Sequence, residues 1–272
     1  PPGPEEPALA AARAIAEASA RFANMNGRRA QAVVGIGADD PEAVARVFAA
    51  LHRAKRLVRR DAIALVCPEC RRTPNGPAAR DVVRRNRWIV KYPLAGESAR
   101  FVLVPTETPE TLFADVAVAI GSAHPWVAEL AEKTVLIPLS ARAIPLLSGH
   151  DAFVGDPTSL RRVTPAHDAD SLELAQRLGT EPVLLFDEKG LTAPGLPPGL
   201  HGLDRKEVRI ATIAGLEKEN LIDRVEEVET AVAICETCRR PLEATLVGHW
   251  RFRVGEAGKR LGQAIRQGAV EA

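Results

Sequence analysis

The chain has 272 residues, of which 46% are hydrophobic, and its 36 basic and 35 acidic side chains give a net charge of +1. This composition excludes an intrinsically disordered protein, and the length allows one large domain or two smaller ones. No apolar run is long enough to cross a bilayer, which excludes a transmembrane helix and predicts no membrane partner. The N-terminal segment lacks a basic region followed by an apolar run, so we expect no secretory signal and predict a cytoplasmic protein.

The predicted elements start with a helical segment at 1–30 and a strand at 31–37. A helix follows from Asp40, which can cap it, to Val58, and a short strand then leads into Cys67. The middle of the chain alternates apolar runs with helical patterns. It predicts strands at 87–92, 100–105, 114–121, 133–140 and 181–187, with helices at 109–113, 124–133 and 165–179. For these helices we predict caps at Thr108 and Thr164 and a C-terminal stop at Gly179. Near the C-terminus we predict a strand at 207–213, a helix at 216–228 and a strand before Cys235.

The four cysteines form two CxxC pairs, Cys67 with Cys70 and Cys235 with Cys238. Two residues between cysteines let both thiolates face one ion, and two such knuckles supply four tetrahedral ligands. The sequence therefore predicts a structural zinc site, although the segment that separates the two pairs, 71–234, is far longer than in a continuous zinc ribbon. A redox CxxC, a rubredoxin-like iron centre and disulfides are the alternatives.

The surroundings of the two pairs, 61–74 and 229–242, are alike, because an aliphatic run precedes each CxxC and two arginines follow it. We therefore predict a Rossmann-like α/β fold with a parallel or mixed sheet, in which the zinc site joins two βαβ-CxxC units. The predicted domains are the helical segment 1–30, a zinc-clamped lobe of 31–92 plus 203–272 that contains a possible internal duplication, and a central α/β insertion at 93–202.

Positive charge is concentrated in residues 51–91, which contain 12 basic and 3 acidic side chains. Arginine binds phosphate well, so this segment predicts a face for nucleic acid or another phosphate-bearing partner. A solvated face of an arginine-rich protein is the alternative. On the helix after Asp40, the polar face is expected to carry Arg46, Arg53, Arg56 and Arg60. The predicted phosphate-binding residues are Arg46, Arg53, Arg56, Arg60, Arg71, Arg72, Arg84, Arg85, Arg239 and Arg240.

Two weaker patterns suggest an enzyme. Gly35 and Gly37 stand between a strand and a helix, where dinucleotide folds bind a phosphate, although a tight turn explains them as well. His150, Asp151, His167 and Asp168 are candidates for acid–base chemistry or a second metal, with Asp156 and Asp170 nearby. Turns and helix caps are the alternative for these side chains.

Three functions follow from these patterns. The first is a zinc-stabilised binding or accessory protein whose arginine-rich face holds nucleic acid or another phosphate-bearing partner. The second is a Rossmann-like enzyme that acts on a nucleotide or a small molecule. The third is a scaffold for a protein partner.

Overall fold

The computed structural model describes residues 41–253, except 75–77, 98, 150–155, 188, 194–195 and 198. The predicted helical segment 1–30, the strand 31–37 with Gly35 and Gly37, and the candidate residues His150 and Asp151 lie outside the described residues.

Within this range the protein has nine strands, four α-helices and one 3₁₀ helix. They are α1 (Pro41–Arg53), β1 (Leu57–Val66), β2 (Arg80–Pro93), β3 (Phe101–Thr106), the 3₁₀ helix (Pro109–Ala114), β4 (Ala117–Ile120), α2 (Val127–Leu130), β5 (Thr134–Leu136), β6 (Ala143–Ser148), β7 (Leu160–Val163), α3 (Ala169–Leu178), α4 (Arg205–Lys218), β8 (Ile222–Ala233) and β9 (Glu243–Phe252). Each described helix is too short or too polar to span a membrane.

The strands form three sheets, with orders β1-β9, β3-β2-β8 and β5-β6-β4-β7. β2 pairs antiparallel with both β3 and β8, whereas β4 pairs in parallel with β6 and antiparallel with β7. The fold is therefore mixed α/β, as the sequence predicts. Among the registered pairs of described strands, β4 with β6 is the only parallel one, so the Rossmann-like arrangement is not observed.

The chain divides into two compact units. One contains the described residues up to Asp61 and those from Gly248 onward, and the other is Ala62–Val247. The larger unit has a main core to which β2, β3, β4 and α4 contribute Val90, Val104, Ile120 and Leu216, all fully buried.

Each CxxC knuckle lies between two long strands. β1 leads into Cys67 and β2 follows Cys70, while β8 precedes Cys235 and β9 follows Cys238. The strand before one knuckle pairs with the strand after the other, so that β1 pairs with β9 and β2 with β8. This exchange of partners brings two segments that are far apart in the sequence to one place.

The predictions for the C-terminal segment are wrong. Residues 207–213 belong to helix α4, which begins at a capping box of Asp204 and Glu207 and buries Val208, Thr212 and Leu216 at helical spacing. The predicted helix 216–228 is largely strand β8, because this segment pairs along its length with β2. Long-range pairing here overrides the helical preference of its glutamates. The predicted βαβ crossover before Cys235 is therefore absent from the described chain.

Two other element boundaries differ from those predicted. Helix α1 ends at Arg53 rather than Val58, because Lys55 adopts a left-handed conformation with φ of 53° and β1 then begins. Residues 181–187, which we expected to form a strand, contain only an isolated bridge from Phe186 to Thr192.

The predicted helix caps are partly wrong. Thr108 precedes the 3₁₀ helix but makes no side-chain capping hydrogen bond, and Thr164 does not cap the helix that follows it. That helix, α3, starts at Ala169 with Asp168 as its cap. Gly179 ends α3 in a left-handed conformation, as the sequence predicts.

Candidate metal centre and charged surfaces

The four cysteine sulfur atoms lie together, all within 4.8 Å of one another, and the thiols are not joined as disulfides. Cys67 and Cys235 are buried, and the Cys67 and Cys238 sulfurs are 3.4 Å apart. Each sulfur can give one ligand atom, so the cluster is positioned to bind a metal ion with ligands from both knuckles. The structure therefore brings together all four cysteines that the sequence predicts to share a site.

The two knuckles have the same backbone geometry. The N–H of Cys67 donates to the carbonyl of Arg72 at 2.9 Å, and the N–H of Cys235 donates to that of Arg240 at 2.8 Å. The residue after each second cysteine, Arg71 or Arg239, is left-handed, with φ of 54° and 60°. This conformation turns the chain back sharply, so that both cysteines of a pair face the same point.

Backbone groups also affect the ionisation of the thiols. The N–H groups of Cys238 and Thr237 lower the pKa of the Cys235 thiol to about 6. Hydrogen bonding with the Cys238 sulfur, aided by burial, raises the pKa of Cys70 to about 12. Cys235 therefore presents a thiolate near neutral pH, and a thiolate is the form that binds metal.

The arginines of β2 lie opposite acidic residues of the same protein. Arg84 is 3.5 Å from Glu227 and 3.6 Å from Glu229 on β8, and Arg87 is 2.9 Å from Glu107. Arg85 is half-buried on the same strand. Two of the five basic side chains at 80–91 are therefore paired with carboxylates of the protein itself.

The arginines beside the knuckles are exposed, and two of them form ion pairs at the surface. Arg239 contacts Asp81 at 2.8 Å, and Arg240 lies 3.5 Å from Glu69 of the other knuckle. Exposed pairs of this kind contribute little to stability, and a phosphate can compete for them. Arg71 and Arg72 are exposed without an ion pair to any described residue.

The smaller unit carries the remaining predicted arginines. Arg46 lies on α1 beside Glu42 at 3.3 Å. The sequence predicts Arg56 and Arg60 on the helix, and this is wrong because α1 ends at Arg53. Arg56 lies in the turn after α1, and Arg60 lies on β1. Residues 53–60 carry five basic side chains and no acidic one, and all five are exposed. This segment is the most positive described stretch of the chain.

The predicted catalytic residues that are described occupy different environments. Asp168 caps α3 by accepting from the N–H of Ser171 at 2.8 Å and also pairs with Arg161 at 2.6 Å. Asp156 forms a local turn with Thr158. These two carboxylates therefore have the structural roles of a helix cap and a turn.

His167 differs from them because one of its ring nitrogens is buried, although the residue as a whole is half-buried. Its Nδ1 lies 3.0 Å from the carbonyl of Ala244, and its Nε2 is buried and has no partner among the described residues. Burial and the nearby Arg205 lower the pKa of His167 to about 4, so its imidazole is neutral at pH 7.

Two buried charge clusters were missed by the sequence analysis. Arg162 donates to both oxygens of Asp115 at 2.8–3.0 Å, and Tyr92 donates to the same carboxylate at 2.7 Å. Glu110, which is fully buried, accepts from Arg205 and Arg209. The signal available in the sequence is a carboxylate inside an apolar run, as in PETLFADVAVAI, which requires a buried cation as its partner.

No known family model matches the chain. The valine–tRNA ligase of Geobacter sulfurreducens is 30% identical over 229 residues, which are 83% of the chain and 26% of the ligase. Those of Solibacter usitatus and Thermotoga maritima are each 29% identical, over 230 and 233 residues. The chain is therefore similar, over more than four fifths of its length, to a segment of valine–tRNA ligases that makes up about a quarter of each ligase.

Proposed function

We propose that this protein is a zinc-stabilised nucleic-acid-binding protein whose partner is tRNA. The observation that carries the proposal is the similarity to valine–tRNA ligases, whose name identifies tRNA as a substrate. The exposed basic segment 53–60 supports it, because arginine forks bind the phosphates that any RNA presents.

Zinc is the metal that fits the cysteine cluster. A tetrahedral zinc ion with sulfur ligands at about 2.3 Å places the sulfurs about 3.8 Å apart. The observed sulfur separations, 3.4 Å for Cys67 to Cys238 and within 4.8 Å for all pairs, are close to this spacing. Four protein ligands leave no open position for water, so the ion would stabilise the fold and take no part in catalysis. Reduced thiols also agree with the cytoplasmic location that we propose.

We also propose that the two knuckle segments arose by internal duplication. The equal backbone turns at Cys67 and Cys235 support this, as does the order of helix, strand, CxxC and strand in both segments. In this proposal residues 93–202 are an insertion between the two copies.

Charge reversal in the basic segment should weaken tRNA binding. We expect the triple variant Arg53→Glu, Arg56→Glu, Arg60→Glu to lose at least about tenfold in affinity. Each phosphate contact releases a counterion from the RNA, and this favourable release is lost together with the contact. The slope of log affinity against log salt should become shallower by about 2 to 3. Fluorescence anisotropy with labelled tRNA at several salt concentrations measures both quantities.

The matched control reverses three exposed lysines of the other unit, Lys189, Lys206 and Lys218, to Glu. This control changes the net charge by the same amount and should bind tRNA much more tightly than the arginine variant. Equal losses in the two triple variants would show that only net charge matters and would overturn the assignment to residues 53–60.

A second candidate function is hydrolysis of the ester between tRNA and an amino acid. Synthetases for small apolar amino acids need a second, hydrolytic site, since binding alone separates isosteric amino acids poorly. The observation that favours it here is the neutral, half-buried His167, whose buried Nε2 has no partner among the described residues. Water would add to the ester carbonyl, and the bond to the ribose oxygen would break to give the free amino acid and tRNA.

Release of amino acid from threonyl-tRNA and valyl-tRNA tests this candidate. We expect the protein to release the amino acid faster than the spontaneous rate, and faster from threonyl-tRNA than from valyl-tRNA. The variant His167→Gln should lower this catalysed rate by at least about tenfold. His201→Gln, an exposed histidine, is the control and should retain the activity. Release at the spontaneous rate from both substrates would exclude the hydrolase and leave tRNA binding as the function.

A further inference from the structure

The smaller unit carries exposed aromatic side chains that pack on one another. Trp250 on β9 contacts Phe48 of α1 edge-to-face, with ring centroids 4.9 Å apart, and contacts His52 at 5.5 Å. Phe48 and His52 are one helical turn apart, so they present their rings on the same side of α1. Trp250 nevertheless remains 45% exposed and Phe48 37% exposed. We call these three residues the aromatic platform.

An arginine lies beside the platform on the same face of the sheet. Gly248 and Trp250 are two residues apart on β9 and therefore point to the same face. The Arg59 side chain lies across Gly248, so closely that a Cβ there would be 2.6 Å from the Arg59 Nε. Arg59 is exposed and has no ion pair with any described residue. Its guanidinium thus lies on the same face of the sheet as Trp250 and forms no ion pair with a described carboxylate.

The surroundings of the platform favour a polyanion over an apolar partner. The five basic residues at 53–60 are Arg53, Lys55, Arg56, Arg59 and Arg60, and Glu42 and Asp61 are the acidic residues of 41–61. An apolar protein surface would leave these five cations without counter-charges, which disfavours it as the partner. Exposed aromatic rings beside arginines are instead the arrangement by which proteins bind single-stranded nucleic acid, with bases stacked on the rings and phosphates held by the cations.

We propose that the aromatic platform stacks an unpaired base of a single-stranded RNA segment, with Arg59 holding an adjacent phosphate. This inference rests on the proposed function, and it adds that unpaired nucleotides are bound at Trp250 on this unit. A fully paired RNA duplex should not bind at the aromatic platform, because its bases are already stacked within the duplex and cannot reach an aromatic ring.

The test compares two tryptophans in the full, metal-loaded chain. Trp250→Leu should weaken binding of a 12-nucleotide single-stranded RNA by about tenfold, since loss of one stacked base removes a contact of this size. Trp250→Phe, which retains an aromatic face, should lose much less. Trp126→Leu removes an exposed tryptophan of the other unit and should bind as the wild type does. A duplex of the same sequence should bind with equal affinity to the wild type and to Trp250→Leu.

A second measurement does not depend on the folding of Trp250→Leu. In the variant Trp88→Phe, Trp126→Phe, Trp250 is the remaining tryptophan, and stacking with a base should quench its fluorescence on addition of RNA. Absence of quenching at saturating RNA, or unchanged single-strand affinity in a folded Trp250→Leu, would overturn the platform. If the wild type binds tRNA while these results are negative, the proposed function stands; if it binds no tRNA at all, the proposed function itself fails.

Discussion

Removal of the metal from the cysteine cluster is expected to unfold the protein cooperatively. The long pairs β1–β9 and β2–β8 all run into or out of the two knuckles, so the ion connects the chain segments that these strands bring together. We expect Cys67→Ser and Cys235→Ser to lower the free energy of unfolding by similar amounts, more than about 4 kcal/mol each, because loss of a structural metal is among the largest single-site effects. Denaturant unfolding with metal analysis of each variant measures this.

The control is Glu236→Gln, an exposed residue between the two cysteines of the second knuckle that offers no thiolate. Its stability should remain within about 0.5 kcal/mol of the wild type. If Cys67→Ser were destabilising while Cys235→Ser bound metal and unfolded normally, the two knuckles could not share one ion.

The second large effect is expected at the buried pair of Asp115 and Arg162. Both side chains are almost fully buried, and the guanidinium also donates to the hydroxyl groups of Thr106 and Thr111. Burial alone would lower the pKa of Arg162, but the Asp115 carboxylate outweighs burial and raises it above its ordinary value. Arg162→Met leaves the carboxylate buried without its cation, so we expect a loss of about 3 to 5 kcal/mol in unfolding free energy.

Arg84→Met is the matched control, since Arg84 is 73% exposed and its ion pairs are with surface glutamates. It should cost about 1 kcal/mol or less. In the double variant Asp115→Leu, Arg162→Met, the loss should be smaller than the sum of the single losses, because neither charge is left alone. Additive losses would show that the two side chains do not act as a pair.

The metal ligands are the part of the site that sequence reasoning predicts best. Two CxxC pairs contain all the information needed, because ligand type, count and local spacing are properties of short segments. The pairing of the strands around the knuckles, by contrast, is not a property of short segments. The capping box of Asp204 and Glu207 is a local signal for the start of α4, and the strand prediction at 207–213 did not use it. Nothing local to residues 222–228 indicates that the glutamates of β8 lie opposite β2, since that pairing depends on a strand in the distant first half of the chain.

The sequence predicts where basic residues are concentrated but not which of them are paired within the fold. Residues 51–91 do contain an excess of basic side chains, but some of these are paired with carboxylates of the protein and others are not. Arg84 and Arg87 face acidic residues across strands and loops, whereas Arg53, Arg56 and Arg59 have no described acidic partner. The contacts of β2 with β8 and with the loop at Glu107 separate the arginines paired inside the fold from those available to a ligand.

Titration of labelled tRNA with the zinc-loaded protein, and with the same protein after removal of zinc by a chelator, tests the account most directly. We predict one zinc per chain, saturable binding by the loaded protein that weakens steeply as salt rises, and loss of that binding with the metal. A loaded, folded protein that binds no tRNA at low salt, or a stripped protein that binds it equally well, would contradict the account.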